Sequence, residues 1–220
     1  MRLPQTLPAQ LYLLAYDARR KRFAFDRHGS GCPLWKFEFA ARSAIFTDLY
    51  LSGAITDVDG KLHKVSPATV QDPVLLETLS GPVSGRSWPD LICSGGRGAA
   101  DAVRGQLEDC GWVRTERRTL GVVGTARVVI YDADLVSALA AQVVGALVDI
   151  LRDNDAPPRP LALGLIAFEA QMPLTEEFMS NQYRRQTLHQ LTEAAIEPID
   201  ALRASIQKRL TEMRRSAGGP

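Results

Sequence analysis

Leu161-Ala-Leu-Gly-Leu-Ile-Ala-Phe-Glu-Ala170 is apolar on nearly every face of a helix. A helix with no polar side to offer water must be enclosed by other elements, so this segment predicts a central core helix with the rest of the chain packed round it. The flanking sequence supplies part of that shell. Asp132 is placed to cap a helix over 135–151, and 153–160, with three prolines, reads as a loop between helices. Downstream, 174–195 and 199–213 read as two amphipathic helices with Pro198 near their junction. In the last of them Ile199, Leu202, Ile206, Leu210 and Met213 share one stripe, while Arg203, Lys208, Arg209 and Arg214 occupy other faces.

Toward the N-terminus, 8–16 predicts a short apolar helix with Pro8 in its first turn, followed by a basic connector over 17–22. A longer helix is expected over 37–52, where Ala41, Ile45, Phe46 and Leu49 fall at helical spacing and Gly53 ends the run. Ile55-Thr-Asp-Val58 and Lys61-Leu-His-Lys-Val65 flank Asp59-Gly60, the residue pair that suits a two-residue type I′ turn, and predict a β-hairpin. Asp72-Pro73 starts a helix through Leu79, Ser87 caps a short one, and a third runs over 99–110 to Gly111. The β-prone runs 119–123 and 127–131, joined by Gly124-Thr-Ala126, suggest a second hairpin. The expected fold class is mainly α: a single-domain helical bundle over 1–215 around a buried apolar helix, decorated with one or two β-hairpins, and with 216–220 as a disordered tail.

Composition narrows the function. Lys plus Arg number 26 against 25 for Asp plus Glu, so a net charge of +1 gives no whole-molecule attraction for nucleic acid or membrane, and any anion site has to be a local patch. Cys32, Cys93 and Cys110 are scattered and form no C-x-x-C pair, which suggests free thiols in a reducing cytosol rather than disulfides or zinc. The N-terminus has no apolar signal region, and apolar runs such as 161–168 are about half a membrane span, so bilayer contact is expected to be peripheral.

Catalytic signatures are weak. His28, His63 and His189 fall in separate segments, Ser84 is one residue out of the G-x-S-x-G register, and Gly121-Val-Val-Gly124 lacks dinucleotide-binding spacing. Glu169, Glu176 and Glu177 read as solvated or helix-capping acids, and Arg114, Arg117 and Arg118, interleaved with Glu116, as a polar strand edge rather than a nucleic-acid surface. No metal or cofactor is expected.

What rises above this background is arginine beside tryptophan: Trp35 with Arg42, and Trp88 with Arg97. A phosphorylated headgroup calls for guanidinium forks and for an amphipathic ring at the membrane interface. Here the chain resembles the Golgi phosphoprotein 3 family, its bacterial members in particular. Leu11-Tyr-Leu-Leu-Ala-Tyr-Asp17 is similar to that family's opening helix, and 41–55 to its leucine-rich helix ending in a glycine and a hairpin. The segments 72–79 and 107–113 resemble further blocks in the same order. The resemblance implies an all-α bundle, no enzymatic activity and a cytoplasmic adaptor docked on the inner face of a membrane. Its partner would be anionic phospholipid, with phosphatidylinositol 4-phosphate the family's headgroup.

By position, the resemblance implies headgroup contacts from Arg42 and Arg97, with Arg104 adding attraction and Trp35 as a looser match for the family's tryptophan; Ala100 stands where a further arginine is expected. The family's membrane or self-association hairpin would correspond to 119–131, with Val122, Val123, Arg127 and Val129. The alternative reading keeps the fold and makes the chain a protein-interaction module without lipid binding; a small-molecule enzyme is the third.

Overall fold

The core segment is helix α7 (Pro158–Glu169), which takes two prolines into its first turn, where a missing N–H costs nothing, and buries Ala162 through Glu169. The structure, a computed structural model, describes residues 2–17, 22–25, 32–65, 70–94, 98–120 and 123–217, without the side-chain surroundings of 22, 117–120, 123–127 and 217. Within them the chain forms ten α-helices, one 3-10 turn and three two-stranded antiparallel sheets. The mainly α class with small hairpins holds.

Helix α6 (Ala133–Ile150) is capped by Asp132, whose carboxylate accepts from the Leu135 N–H at 3.1 Å. It buries Val136, Leu139, Val143, Ala146 and Leu147 and lies against α7. Gly164 allows the approach: a Cβ there would stand 2.8 Å from Leu147 Cγ. Among the described residues α6 alone is long and apolar enough to cross a membrane, by length and composition only. Its unbroken apolar runs are no longer than 161–168, because single polar residues (Asp134, Ser137, Gln142 and Asp149) are spread along an otherwise apolar helix.

Helix α1 (Leu7–Leu14) packs on α2 (Leu34–Leu51), and α2 also meets α7 and the long C-terminal α10 (Glu197–Ala217). Gly53 ends α2 at φ 72°, and the turn after β3 (Ile55–Val58) has Asp59 at φ 53° and Gly60 at φ 75°, the two positive angles of a type I′ turn, before β4 (Lys61–Lys64). Asp72 caps α3 (Pro73–Ser80) and Ser87 caps α4 (Trp88–Cys93), as read from sequence. Helix α5 (Ala99–Asp109) follows.

Other readings change. Residues 174–195 form not one helix but a 3-10 turn (Pro173–Thr175), α8 (Glu176–Ser180) and α9 (Gln182–Glu193). Asn181 causes the break: its backbone is extended and its side chain accepts from the Arg184 N–H at 3.0 Å, an N-cap that competes with helix continuation. Pro198 lies in the first turn of α10, whose Ile199, Leu202 and Ile206 are buried while Met213 is exposed. α10 runs on to Ala217, so the expected tail begins inside a helix.

The basic connector 17–22 is flanked by a two-residue pairing of β1 (Tyr16–Asp17) with β2 (Arg22–Phe23), drawn in by the ring cluster of Tyr12, Tyr16, Phe23, Phe25 and Phe37. The second hairpin is longer than expected. β5 (Val113–Leu120) pairs with β6 (Val123–Ile130) out to Leu120 and Val123, which puts Gly124, Thr125 and Ala126 inside a strand rather than in the turn. Each added pair satisfies backbone donors and acceptors, and this outweighs the low strand preference of glycine.

Candidate functional site

Helix α2 starts with Pro33 as an extended N-cap residue, so Trp35 falls in its first turn with Glu38, Phe39 and Arg42 on the turns that follow. Trp35 is half-buried, its ring edge-on to Phe39 with centroids 5.7 Å apart. The two rings form one wall of a cleft of about 340 Å3, whose other wall is α10 with Lys208 and Arg209, both exposed. Glu38 and Cys93 also line it, and Glu212 stands 3.6 Å from Arg209.

Arg42, which the resemblance implies as a headgroup ligand, also bonds within the protein. Only 7% exposed, it donates from Nη1 to the Ile92 carbonyl at 3.0 Å and holds Nη2 3.6 Å from Glu38 Oε2. Burial lowers its pKa, opposed by the Glu38 carboxylate. Glu38 in turn accepts from the N–H groups of Gly98 at 3.2 Å and Ala99 at 3.1 Å, capping the start of α5 from a neighbouring helix. Gly98 has no side chain with which to cap α5 itself.

The remaining expected residues that are described lie apart from one another. Arg97 lies outside the described residues, as do Val122 and the side chains of Val123 and Arg127. Ala100 is buried at 4%, so an arginine there would put a charge into the core. Arg104 pairs with Asp101 at 3.1 Å and lines neither the Trp35 cleft nor the one beside Arg42. Val129 is half-buried in β6 opposite Arg114. Trp88, paired with Arg97 in the sequence reading, is a core residue whose Nε1 donates to Asp57.

Three polar residues with no site role in the sequence reading line the cleft: Glu38, Lys208 and Arg209. Glu38 was legible as an i,i+4 partner of Arg42. Lys208 and Arg209 were visible only as a basic helix face, since nothing local shows that α10 returns to the start of α2.

At the end of α7, Glu169 is buried rather than solvated or capping. Its Oε1 lies 2.9 Å from His189 Nδ1 and 3.2 Å from Arg203 Nη1. Glu176 and Glu177 do occupy the first turn of α8. Near this cluster Lys36 donates to Gln171 Oε1 at 2.6 Å, and burial lowers its pKa. Burial pushes the Cys32 thiol up to about 12, against the nearby Lys36 charge. A folded-state pKa raised in this way contributes stability that is present below the ordinary value of 9.0 and lost as pH climbs toward 12. At about pH 8 an alkylating reagent is therefore expected to modify exposed Cys93 and Cys110 and to reach Cys32 only on unfolding. Mass spectrometry of the native protein checks this, and rapid labelling of Cys32 would contradict it.

A larger cleft of about 710 Å3 lies between the N-terminal segment and α5, and its two carboxylates are engaged within the protein. Asp48 takes the Leu7 N–H and Arg159, and Asp72 takes the start of α3 and Gln106.

A helical bundle closed round an apolar helix, edged by hairpins and carrying a small aromatic and basic cleft, is the class of molecule these features define. The chain belongs to the Golgi phosphoprotein 3 family, since the family profile described as Golgi phosphoprotein 3 (GPP34) matches residues 7–213, from α1 into the last turns of α10. Membership points to an adaptor. No curated protein matches the sequence.

Proposed function

We propose that the protein is a peripheral adaptor that docks on anionic phospholipid at the cytoplasmic face of a membrane, through the cleft between the start of α2 and the second half of α10. The observation that carries this reading is Trp35, half-exposed beside the exposed cations Lys208 and Arg209 around one cleft. An amphipathic indole suits the headgroup level of a bilayer. Each cation close to an anionic surface adds about 1 kcal/mol of attraction, which salt screens. Arg42 then serves inside the protein, holding α4 through the Ile92 carbonyl and orienting Glu38.

Flotation with phosphatidylcholine vesicles, with and without phosphatidylglycerol, tests the reading. The wild type is expected to float only with the anionic vesicles, and Lys208→Glu with Arg209→Glu to weaken that binding by about thirtyfold or more. Equal binding to both vesicles, or a double variant that binds like wild type, would remove lipid docking.

The alternative, a protein-interaction module, is favoured by the internal engagement of Arg42 with Ile92 and Glu38. Under it, partner binding survives detergent and the vesicle assays show nothing.

A further inference from the structure

We infer that the end of α10, from Gln207 onward, lies on the bilayer as an interfacial helix, with Met213 in the lipid and Arg209 and Arg214 at its sides. The inference rests on the lipid-docking reading above and adds the element that enters the membrane.

One apolar stripe fastens α10 to the core and then outruns it. Ile199, Leu202 and Ile206 are buried, Leu210 is only partly covered, and Met213, next on the same face, is 45% exposed. Leu210 apart, every residue from Gln207 to Ser216 is exposed. Core packing therefore accounts for the stripe as far as Leu210, and Met213 continues it over solvent.

Charge identifies what covers this face. Residues 207–216 hold four cations, Lys208, Arg209, Arg214 and Arg215, against the single acid Glu212, a local surplus of +3 in a chain whose net charge is +1. At about 100° per residue, Arg209 and Arg214 fall about 70° to either side of the stripe. A helix lying in a membrane interface is built this way, its apolar face toward the acyl chains and its long basic side chains reaching back from the flanks to the headgroups. An anionic bilayer answers the whole surplus of charge, which a merely apolar protein surface would leave unmatched. The Trp35 cleft lies on the other side of Arg209 from Met213, since Ser205, Lys208 and Glu212 line it, and one lipid surface can meet both.

The test uses the full chain and phosphatidylcholine vesicles with and without phosphatidylglycerol. Met213→Gln keeps the charge, the length and the helix preference and removes only the apolar end, so it is expected to lower affinity for the anionic vesicles by about tenfold. Thr211→Gln, on the far side of the helix, is expected to bind like wild type. In Met213→Trp, lipids brominated near the top of the acyl chain are expected to quench the emission added over wild type. Met213 is exposed, so folding does not hang on it. Anionic binding that Met213→Gln leaves unchanged, or added emission that brominated chains do not quench, overturns the inference and leaves lipid docking standing. A wild type that dimerises in sedimentation, and loses the dimer in Met213→Gln while vesicle binding holds, gives this face to a second copy instead. A wild type that binds no better with phosphatidylglycerol than without it overturns the docking reading, and the inference with it.

Discussion

Glu169→Ala is expected to destabilise the protein by about 3 kcal/mol, the lower part of the range for removing one partner of a buried ion pair. The Glu169 carboxylate closes α7 and receives groups from two later helices, His189 of α9 and Arg203 of α10. Its side chain is 4% exposed and that of Arg203 20%, so the guanidinium left behind keeps little water. Arg203 Nε also lies 3.2 Å from Glu193, which holds part of its charge and keeps the expected loss below the top of the range. Urea denaturation measures the effect. Glu169→Gln should cost less, because an amide still offers Arg203 an oxygen. A loss for Glu169→Ala below about 1 kcal/mol would mean that the cluster does not hold α9 and α10 to the core.

Asp48→Ala is expected to cost about 2–3 kcal/mol. Thr6 makes no side-chain cap for α1, and Asp48 of α2 supplies one from across the fold, its Oδ2 accepting the Leu7 N–H at 2.7 Å. Its Oδ1 takes Arg159 Nη1, also at 2.7 Å. The two bonds are unequal. Leu7 is fully buried and its N–H would lose its partner away from water, whereas Arg159 is 42% exposed and can be rehydrated. Arg159→Ala should therefore cost under about 1 kcal/mol. Equal losses for the two variants would show that the ion pair, not the cap, is what Asp48 contributes; amide exchange across α1 should rise only in Asp48→Ala.

These predictions rest on residues whose roles the sequence did not disclose, for a shared reason. Gly53, Asp59-Gly60, Asp72-Pro73, Ser87 and Asp132 were legible because turns and caps are chemistry within four residues of one another. Asn181 obeyed the same chemistry but was overlooked inside an apolar periodicity that ran across it. Asp48 and Glu38 are caps too, supplied by one helix to another, and no local pattern announces them. Trp88 and Trp35 show the same division. Both stood near an arginine in the sequence, yet one is sealed in the core against Asp57 and the other lines a cleft.

By itself, the sequence determined a mainly helical chain closed round 161–170 and its family, because apolar period, caps and block order are properties of the chain read in line. Only the tertiary structure decided which charges remain available. Arg42 is held by Glu38 and the Ile92 carbonyl, and Lys208 and Arg209 come to line one cleft with Trp35 because α10 folds back along α2. A side chain's freedom to bind depends on what surrounds it after packing, and that is set by contacts between segments far apart in sequence.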